Sequence, residues 1–326
     1  MKKTGSGNKT FSGVYAVVPT PLMDDQSVDF KGLEKLLHFY IDGGCHGLLV
    51  LGSYGELPYF TFEERLEIIR RAVHFVGGQI PVISCVGCCS LREAGLFLKQ
   101  TKSVAVDAYL AVLPTYFKIT VEDCIRYYSE LGALTEKPLM YYHIPQITGI
   151  RPSPDEFARL LRLERISGIK DSSMNLPTLK RATSLREEAG LSYFAGSGFL
   201  LLETLNHGGD GVMCTVAAIS PRTVAGCYNA WTAGDHAGAR ELQDRIFDFL
   251  PVMNSFSLPV PVQKYGFKVL SLVGMSAISP RQAVLKEYLR QTGIPITAAV
   301  RSPLPQATER DRAAVARFIR SMGDAH

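Results

Sequence analysis

The sequence predicts an α/β protein built as a closed (β/α)8 barrel, the TIM-barrel fold, with a C-terminal helical extension. Short apolar segments of strand length alternate with longer segments of helical periodicity eight times between residues 14 and 233. The strand segments are mostly continuous apolar runs, which is typical of parallel strands buried on both faces. The order of the units never reverses, and this favours a closed barrel over a doubly wound open sheet.

The strand–helix units follow one another along the chain. The first strand, at 14–18, is rich in β-branched residues, and the first helix, at 29–42, has apolar residues at helical spacing. The second helix begins at Thr61, with Glu64 three residues later as in a capping box. The remaining strands are predicted at 47–51, 80–86, 106–113, 138–144, 165–170, 192–196 and 211–215, and the remaining helices at 90–102, 120–134, 154–163, 175–189, 198–207 and 220–233.

These units place a catalytic barrel at 11–234 and a helical region packed on it at 235–326. The first strand is followed by Pro19-Thr-Pro-Leu22 rather than by the glycine-rich turn of a dinucleotide site, which weakens the doubly wound alternative. Within the C-terminal region, helical spacing predicts helices at 235–250, 261–274, 280–291 and 308–322.

Charge and hydropathy exclude several classes of partner. Lys+Arg 35 against Asp+Glu 31 gives a net charge of +4, too slight and too evenly spread to indicate nucleic acid or an anionic membrane. No apolar run approaches the roughly 20 residues that a membrane-spanning helix needs. Pro19 and Pro21 interrupt the first apolar segment, which argues against a secretory signal. We therefore expect a cytoplasmic protein without nucleic-acid or membrane partners.

The seven cysteines are an odd number in a chain without a predicted secretion signal, which indicates reduced thiols. Cys85-Val-Gly-Cys88-Cys89 suggests a metal site, but a closed zinc site needs about four ligands and no second Cys/His pair has suitable spacing. We expect buried free cysteines and no metal.

Lys170 closes the predicted sixth strand. Burying an unpaired ammonium is unfavourable unless the group loses its proton, and a neutral lysine amine is a nucleophile for carbonyl carbon. The residues therefore suggest imine chemistry. The alternative, favoured when Ser167–Ser173 is considered alone, is that the amine reaches solvent or pairs with Asp171.

Other chemically active residues fall at the ends of predicted strands, where the active sites of such barrels lie. Gly52-Ser-Tyr-Gly-Glu56 follows strand two, and its glycines allow either an anion-binding turn or an ordinary βα turn. Alternation along strand five places Tyr142 on one side and Tyr141 and His143 on the other. Tyr142 could relay a proton between substrate and Ser53, or it could be a packed ring; His143 is expected to be structural.

Four motifs together resemble the dihydrodipicolinate synthase/N-acetylneuraminate lyase family. They occupy the ends of strands two, four, five and six, and the resemblance extends from about residue 11 to the C-terminal helices. The motifs are Gly52-Ser-Tyr-Gly-Glu56, Leu113-Pro-Thr-Tyr116, Tyr142-His-Ile-Pro145 with Thr148-Gly149, and Gly168-Ile-Lys-Asp-Ser172.

This resemblance implies a class I aldolase or lyase that needs no cofactor. It implies that Lys170 forms an imine with pyruvate or another 2-oxo acid, that Tyr142 exchanges protons, and that Tyr116 reaches into a neighbouring subunit of a homotetramer built as a dimer of dimers. Ser53 matches the hydroxyl between these tyrosines. The substrate-binding residues implied are Ser53, Tyr54, Ile147, Gly196 and Met213.

Three positions depart from the family pattern. Ile147 stands where lysine-pathway synthases have an arginine for the carboxylate of their aldehyde, Tyr54 replaces a small hydroxyl residue, and His143 replaces asparagine. We therefore expect a lyase that cleaves or condenses a 2-oxo acid, with pyruvate as one partner and a sugar-acid or related aldehyde as the other. The alternatives are 4-hydroxy-tetrahydrodipicolinate synthase, a 2-keto-3-deoxy sugar-acid dehydratase that uses the same imine, a metal-dependent aldolase, and a non-catalytic scaffold.

Overall fold

The computed structural model describes residues 11–87, 90–253, 265–266, 269 and 281–322, and eight parallel strands in chain order form a closed barrel in it. The last strand pairs with the first and closes the ring. This confirms the predicted (β/α)8 fold. The strands are β1 Gly13–Val17, β2 Gly47–Val50, β3 Val82–Gly87, β4 Ala108–Val112, β5 Leu139–His143, β6 Ile166–Asp171, β7 Ser192–Ala195 and β8 Gly211–Cys214.

Helices alternate with the strands and continue beyond them. Those of the barrel are α1 Phe30–Asp42, α2 Phe62–Val76, α3 Leu91–Gln100, α4 Val121–Ala133, α5 Pro145–Thr148, α6 Pro154–Leu161, α7 Leu176–Ala189, α8 Leu201–Asn206, α9 Thr215–Ile219 and α10 Pro221–Thr232. The C-terminal extension contains α11 His236–Phe247, α12 Leu250–Met253, α13 Gln282–Gln291 and α14 Glu309–Met322. The helix predicted at 261–274 lies outside the described residues, apart from 265, 266 and 269.

The capping box predicted at the start of α2 is present. The Thr61 hydroxyl accepts a hydrogen bond from Glu64 N, and the Glu64 carboxylate accepts one from Thr61 N at 2.8 Å. The same reciprocal arrangement begins α4 and α6. Each box satisfies two amides that a helix start leaves without an intrahelical partner, so these polar residues fix where the helices begin.

The differences from the predicted elements are confined to short segments. The helix predicted at 198–207 is a 3-10 turn, Gly198–Leu200, followed by α8. The helix predicted at 235–250 ends at Phe247, and α12 begins at Leu250. Helices α5 and α9 were not predicted, because four and five residues are too few to show a helical period.

Side chains fill the barrel. All strand residues are buried except Val112, which is half-buried. The ring of Tyr15 lies against Gly47, where a Cβ would come within 2.0 Å of Tyr15 Cε1, and it meets the ring of Phe194 edge-on at 5.2 Å between centroids. The absence of a side chain at Gly47 therefore makes room for a tyrosine in the core.

Charged side chains bind the backbone at the N-terminal end of the barrel. Asp210, directly before β8, accepts hydrogen bonds on Oδ2 from Tyr193 N at 2.7 Å and from Arg186 Nε at 2.6 Å. Its own carbonyl accepts from Gly13 N at 2.8 Å. This one aspartate thus joins the starting ends of β7, β8 and β1.

The cysteine prediction can be tested at five of the seven positions, and at these it is confirmed. Cys45, Cys85, Cys124, Cys214 and Cys227 are buried and free, whereas Cys88 and Cys89 lie outside the described residues. Within the described ranges, no three His, Cys, Asp or Glu side chains are grouped as a metal site would require. No helix in the same part of the chain is long and apolar enough to cross a bilayer.

Candidate active site

Lys170 and Tyr142 lie side by side at the C-terminal mouth of the barrel. The β5–β6 register pairs the two residues, each next to last in its strand. Lys170 Nζ donates a hydrogen bond to Tyr142 Oη at 3.2 Å and lies 4.4 Å from the centroid of the phenol ring. The expectation that alternation along β5 directs Tyr142 towards Lys170 is therefore confirmed.

The alternative placements of Lys170 do not occur. Its side chain is buried, with only 4% of the residue exposed, so the amine does not extend into solvent. Asp171 Oδ1 accepts a hydrogen bond from Ser173 N at 2.8 Å, and Asp171 Oδ2 accepts one from the Tyr193 hydroxyl at 2.9 Å. Successive strand residues point to opposite faces, so this carboxylate lies on the other side of β6 from the amine.

Ser53 joins the pair from a tight turn after β2. Ser53 Oγ lies 3.5 Å from Tyr142 Oη, at the limit of a hydrogen bond. The turn begins at Leu51, whose φ of 59° is in the left-handed region. A Cβ at Gly55 would approach Leu51 Cα and Gly52 N to 3.0 Å, so the backbone can fold back only with glycine there.

Tyr54 follows Ser53 in the turn and is close enough to Tyr142 for the two phenols to interact electrostatically. Burial raises the pKa of the Tyr54 phenol to about 12, and the neighbouring Tyr142 acts in the same direction, whereas the Arg281 charge and the Thr215 hydroxyl act against it. The Tyr54 phenol therefore remains protonated at neutral pH and can donate a hydrogen bond.

Two predicted site residues are not joined to this cluster within the chain. The side chain of Tyr116 is 91% exposed and contacts the ring of Phe117, itself 76% exposed, at 4.9 Å between centroids. Ile147 is 43% exposed on α5.

Helix α5 is nevertheless anchored to the segment after Lys170. Gln146, the neighbour of Ile147, donates hydrogen bonds from Nε2 to Ser172 O at 3.0 Å and Ser173 O at 3.2 Å.

Gly196 is half-buried directly after β7, and Met213 is buried near the end of β8. Gly196 N donates to Asp171 O at 2.7 Å, and a Cβ at Gly196 would lie only 2.1 Å from Ser172 Oγ. Glycine is therefore required for the close approach of the segments after β6 and β7. Met213 is fully buried on β8 and pairs with Tyr15 of β1. Contact of either residue with substrate stays a prediction.

His143 has the structural surroundings that the sequence predicts. Its Nδ1 lies 2.8 Å from the Tyr141 hydroxyl, and its ring packs edge-on against Phe157. Burial lowers the pKa of His143, the Arg151 charge adds to this, and Asp171 opposes it. The ring is accordingly neutral at neutral pH, on the side of β5 away from Tyr142.

Sequence reasoning missed the residues of the C-terminal extension that contact the Ser53 turn. Gln282 Nε2 donates to Ser53 O at 3.2 Å, and Lys286 Nζ binds Glu56 Oε1 at 2.6 Å with both side chains fully buried. The available signal was the i, i+4 spacing of Gln282 and Lys286, which places them on one helix face. Such pairs are common on solvent-facing helices, so the spacing alone does not identify the contact.

The fold and this cluster together define a class of protein. A buried lysine amine next to a phenol, with a serine hydroxyl beside the phenol, is suited to nucleophilic attack on a carbonyl carbon followed by proton transfer. In a closed parallel barrel such a cluster at the C-terminal mouth is the arrangement of a barrel enzyme.

Comparisons with known proteins identify the family. The dihydrodipicolinate synthetase family model matches residues 10–282. An uncharacterised DapA-like lyase of Halobacterium salinarum is 33% identical over 75% of this chain and 80% of its own length. The 4-hydroxy-tetrahydrodipicolinate synthase of Gluconacetobacter diazotrophicus is 32% identical over 83% and 91%.

The solved structures agree with this result. A monomeric dihydrodipicolinate synthase variant superposes with a TM-score of 0.82 at 25% identity, covering 98% of this chain and 99% of its own. The chain belongs to the dihydrodipicolinate synthetase family, whose members are pyruvate-dependent class I aldolases and lyases. It is therefore an enzyme of that class, and the family resemblance given by the four sequence motifs is confirmed.

Proposed function

We propose that this enzyme forms a Schiff base between Lys170 and pyruvate or another 2-oxo acid. The observation that carries the proposal is the hydrogen bond of 3.2 Å between Lys170 Nζ and Tyr142 Oη in a buried position at the mouth of the barrel. The amine attacks the keto carbon, a C–N bond forms, and the keto oxygen leaves as water after it takes up one proton from the nitrogen and one from solvent. The resulting iminium accepts the electron pair released when the adjacent carbon loses a proton or a C–C bond is cleaved.

Tyr142 and Ser53 are the groups proposed to move protons in this reaction. The Tyr142 hydroxyl is next to the attacking nitrogen and lies 3.5 Å from Ser53 Oγ. A proton released at nitrogen can therefore reach the departing oxygen through the Tyr142 hydroxyl. No free phenolate forms, because the hydroxyl accepts one proton as it donates another. The backbone amides of Ser53 and Tyr54, in the tight turn, are proposed to bind the carboxylate of pyruvate.

The proposed second substrate is an aldehyde that lacks a carboxylate near position 147, such as the hydroxyaldehyde released when a sugar-acid type of 2-oxo acid is cleaved. Arginine binds a carboxylate through two parallel hydrogen bonds, and isoleucine offers no donor. A second candidate is 4-hydroxy-tetrahydrodipicolinate synthase, which is favoured by the 32% identity to a relative of that name. Dehydration of a 2-keto-3-deoxy sugar acid is a further reaction that the same imine supports.

We also propose that a second copy of the chain covers Tyr116, as in a homotetramer. The paired rings of Tyr116 and Phe117 expose 91% and 76% of their residues, which is a large apolar surface to leave in water. Light scattering of the purified enzyme tests this, and a monomer at micromolar concentration would contradict it.

Borohydride trapping tests the proposed imine. The enzyme is incubated with pyruvate and reduced with borohydride, and its mass is measured by mass spectrometry. We expect the mass to increase by one reduced pyruvate per chain, and we expect Lys170→Ala to abolish this increase. Lys137→Ala is the matched control, because Lys137 is another lysine that is partly shielded from solvent, yet its amine donates hydrogen bonds to the carbonyls of Val104 and Val106 outside the mouth.

Other outcomes of this experiment identify the alternatives. Turnover that a chelator abolishes, with no trapped adduct, would establish a metal-dependent aldolase. No adduct and no turnover with any 2-oxo acid would support a scaffold protein. An adduct that persists in Lys170→Ala would show that a different amine reacts.

The aldehyde preference is tested at Ile147. We expect Ile147→Arg to raise kcat/KM for aldehydes bearing a carboxylate relative to uncharged hydroxyaldehydes, by about 10-fold or more, since a charge-assisted bidentate contact is worth roughly 1.5–3 kcal/mol. Ile147→Met serves as the control for side-chain length. Equal changes for both kinds of aldehyde would show that position 147 does not contact the substrate.

A further inference from the structure

Three groups of the C-terminal extension converge on the turn that carries Ser53. Gln282 Nε2 donates to Ser53 O at 3.2 Å, Lys286 Nζ binds Glu56 Oε1 at 2.6 Å, and Arg301 N donates to Glu56 Oε2 at 2.7 Å. Both ends of the turn are thus held by a segment that begins more than sixty residues after the last barrel strand.

The Lys286–Glu56 ion pair is completely enclosed. Neither side chain has any exposed surface, and the lysine amine also donates to Ala299 O at 2.7 Å. Burial lowers the pKa of Lys286, whereas the charge and hydrogen bond of Glu56 raise it. Each carboxylate oxygen of Glu56 accepts one hydrogen bond from the extension, so the position of the group is fixed on both sides.

Stability alone gives no reason for this arrangement. Removing two charges from water costs about as much as their attraction returns, and well-packed apolar residues at such positions are commonly as stabilising. The pair does, however, hold a backbone that would otherwise relax. Glu56 has a φ of 60°, in the left-handed region that side-chain-bearing residues disfavour, and it ends the turn begun by Leu51 at 59°.

We propose that Lys286 is a positioning residue for the reaction: through Glu56 it fixes the turn at residues 52–56, and with it Ser53 and the amides that bind the pyruvate carboxylate. The inference rests on the proposed imine function. Gln282, one helical turn before Lys286, acts on the same turn through the Ser53 carbonyl. The extension is thereby part of the catalytic apparatus, although none of these three side chains touches the reacting atoms.

The test uses a double variant in the full-length enzyme, Glu56→Gln with Lys286→Met. Both charges are removed together, so no unpaired charge is left buried, and the amide oxygen introduced at position 56 can still accept from Arg301 N. We expect a melting temperature within a few degrees of the wild type. We expect KM for pyruvate to rise and kcat to fall, each on the order of 10-fold, because small displacements of a positioning group cost rate.

Arg186→Met is the matched control. It breaks the Arg186–Asp210 ion pair at the opposite end of the barrel by removing the cation, and it is expected to lower the melting temperature while leaving kcat and KM unchanged. If the double variant behaves like this control, the pair is only structural and the proposal is overturned. Should the double variant fail to fold, Glu56→Gln with Lys286→Gln is measured, which again removes both charges together, and unchanged kinetics there overturn the proposal equally.

Trapping distinguishes this inference from the function on which it rests. We expect the double variant to form the borohydride-trapped adduct at saturating pyruvate but to need a higher pyruvate concentration for half-maximal trapping. A wild-type enzyme that forms no adduct refutes the imine itself. If the wild type forms the adduct and the double variant needs the same pyruvate concentration for half-maximal trapping, only the role of Lys286 is refuted.

Discussion

At the N-terminal end of the barrel, Asp210 accepts hydrogen bonds of 2.7 and 2.6 Å from Tyr193 N and Arg186 Nε, so its charge is used entirely within the protein. At the C-terminal mouth, Lys170 Nζ lies 3.2 Å from Tyr142 Oη, which in turn lies 3.5 Å from Ser53 Oγ. At the N-terminal end, Asp210 binds Arg186 and the backbone. At the C-terminal mouth, Lys170, Tyr142 and Ser53 have spare hydrogen-bonding capacity.

The two ends of the barrel therefore differ in what their polar groups contribute: stability at the N-terminal end and reactivity at the C-terminal mouth. Groups with spare capacity contribute little to folding, but they can bind a substrate and exchange protons with it. In barrels of this kind the strand starts serve stability and the strand ends serve chemistry. Substitutions at the two ends should therefore change different measured quantities, and the three predictions below test this, beginning with the largest effect.

Replacing Tyr142 with phenylalanine should lower kcat by about 10²–10⁴-fold, because the proton relay loses its central hydroxyl while the ring still packs. Imine formation at Lys170 should remain detectable by borohydride trapping, and the melting temperature should change little. Steady-state kinetics and mass spectrometry check this. Wild-type turnover in Tyr142→Phe would exclude the phenol from the mechanism.

Replacing Asp210 with asparagine should lower the free energy of unfolding by about 1–3 kcal/mol, because three hydrogen bonds lose the charge of their acceptor at a position that is 9% exposed. Turnover per folded molecule should be unchanged. Urea unfolding and kinetics on the same preparation check both quantities. A fall in kcat without a loss of stability would contradict the division between the two ends.

Replacing His143 with asparagine should flatten the pH dependence of stability below neutrality. Burial lowers the pKa of His143 below its ordinary value of 6.5, so between these two pKa values the unfolded chain binds more protons than the folded chain. The free energy of unfolding of the wild type therefore decreases as pH falls through this window, by up to about 1.4 kcal/mol per pH unit.

Urea midpoints measured from about pH 7.5 down to pH 5 test the His143 prediction. His46, whose pKa is also lowered by burial, titrates in both proteins, so the difference between the two curves isolates His143. Parallel curves would show that His143 takes up its proton as easily in the folded state as in the unfolded one.

Much of the barrel was predictable because most strands are continuous apolar runs and the long helices show their period. The Lys170–Tyr142 contact was also predictable. Once the strands are placed, alternation fixes which side of β5 carries the tyrosine, and the parallel register brings it opposite the lysine.

The parts of the fold and of the site that were not predicted depend largely on contacts between residues far apart in sequence. Lys286 lies 230 positions from Glu56, and nothing local in either segment specifies the partner of the other. The short helices α5 and α9 escaped prediction because they are fixed by the strand ends before them rather than by a repeating pattern. The proposed covering of Tyr116 by a second copy depends on a surface that a single chain does not contain.

The pairing of β1 with β8 also has a consequence for synthesis. Gly13 pairs with Gly211, so the first strand made is the last to be completed. At roughly 5–20 residues per second, a nascent chain carries an open sheet edge for about 10–40 seconds before its closing partner emerges from the ribosome. Until then that edge can recruit strands from other nascent chains, and so the rate of translation, together with chaperone supply, governs the yield of closed barrels.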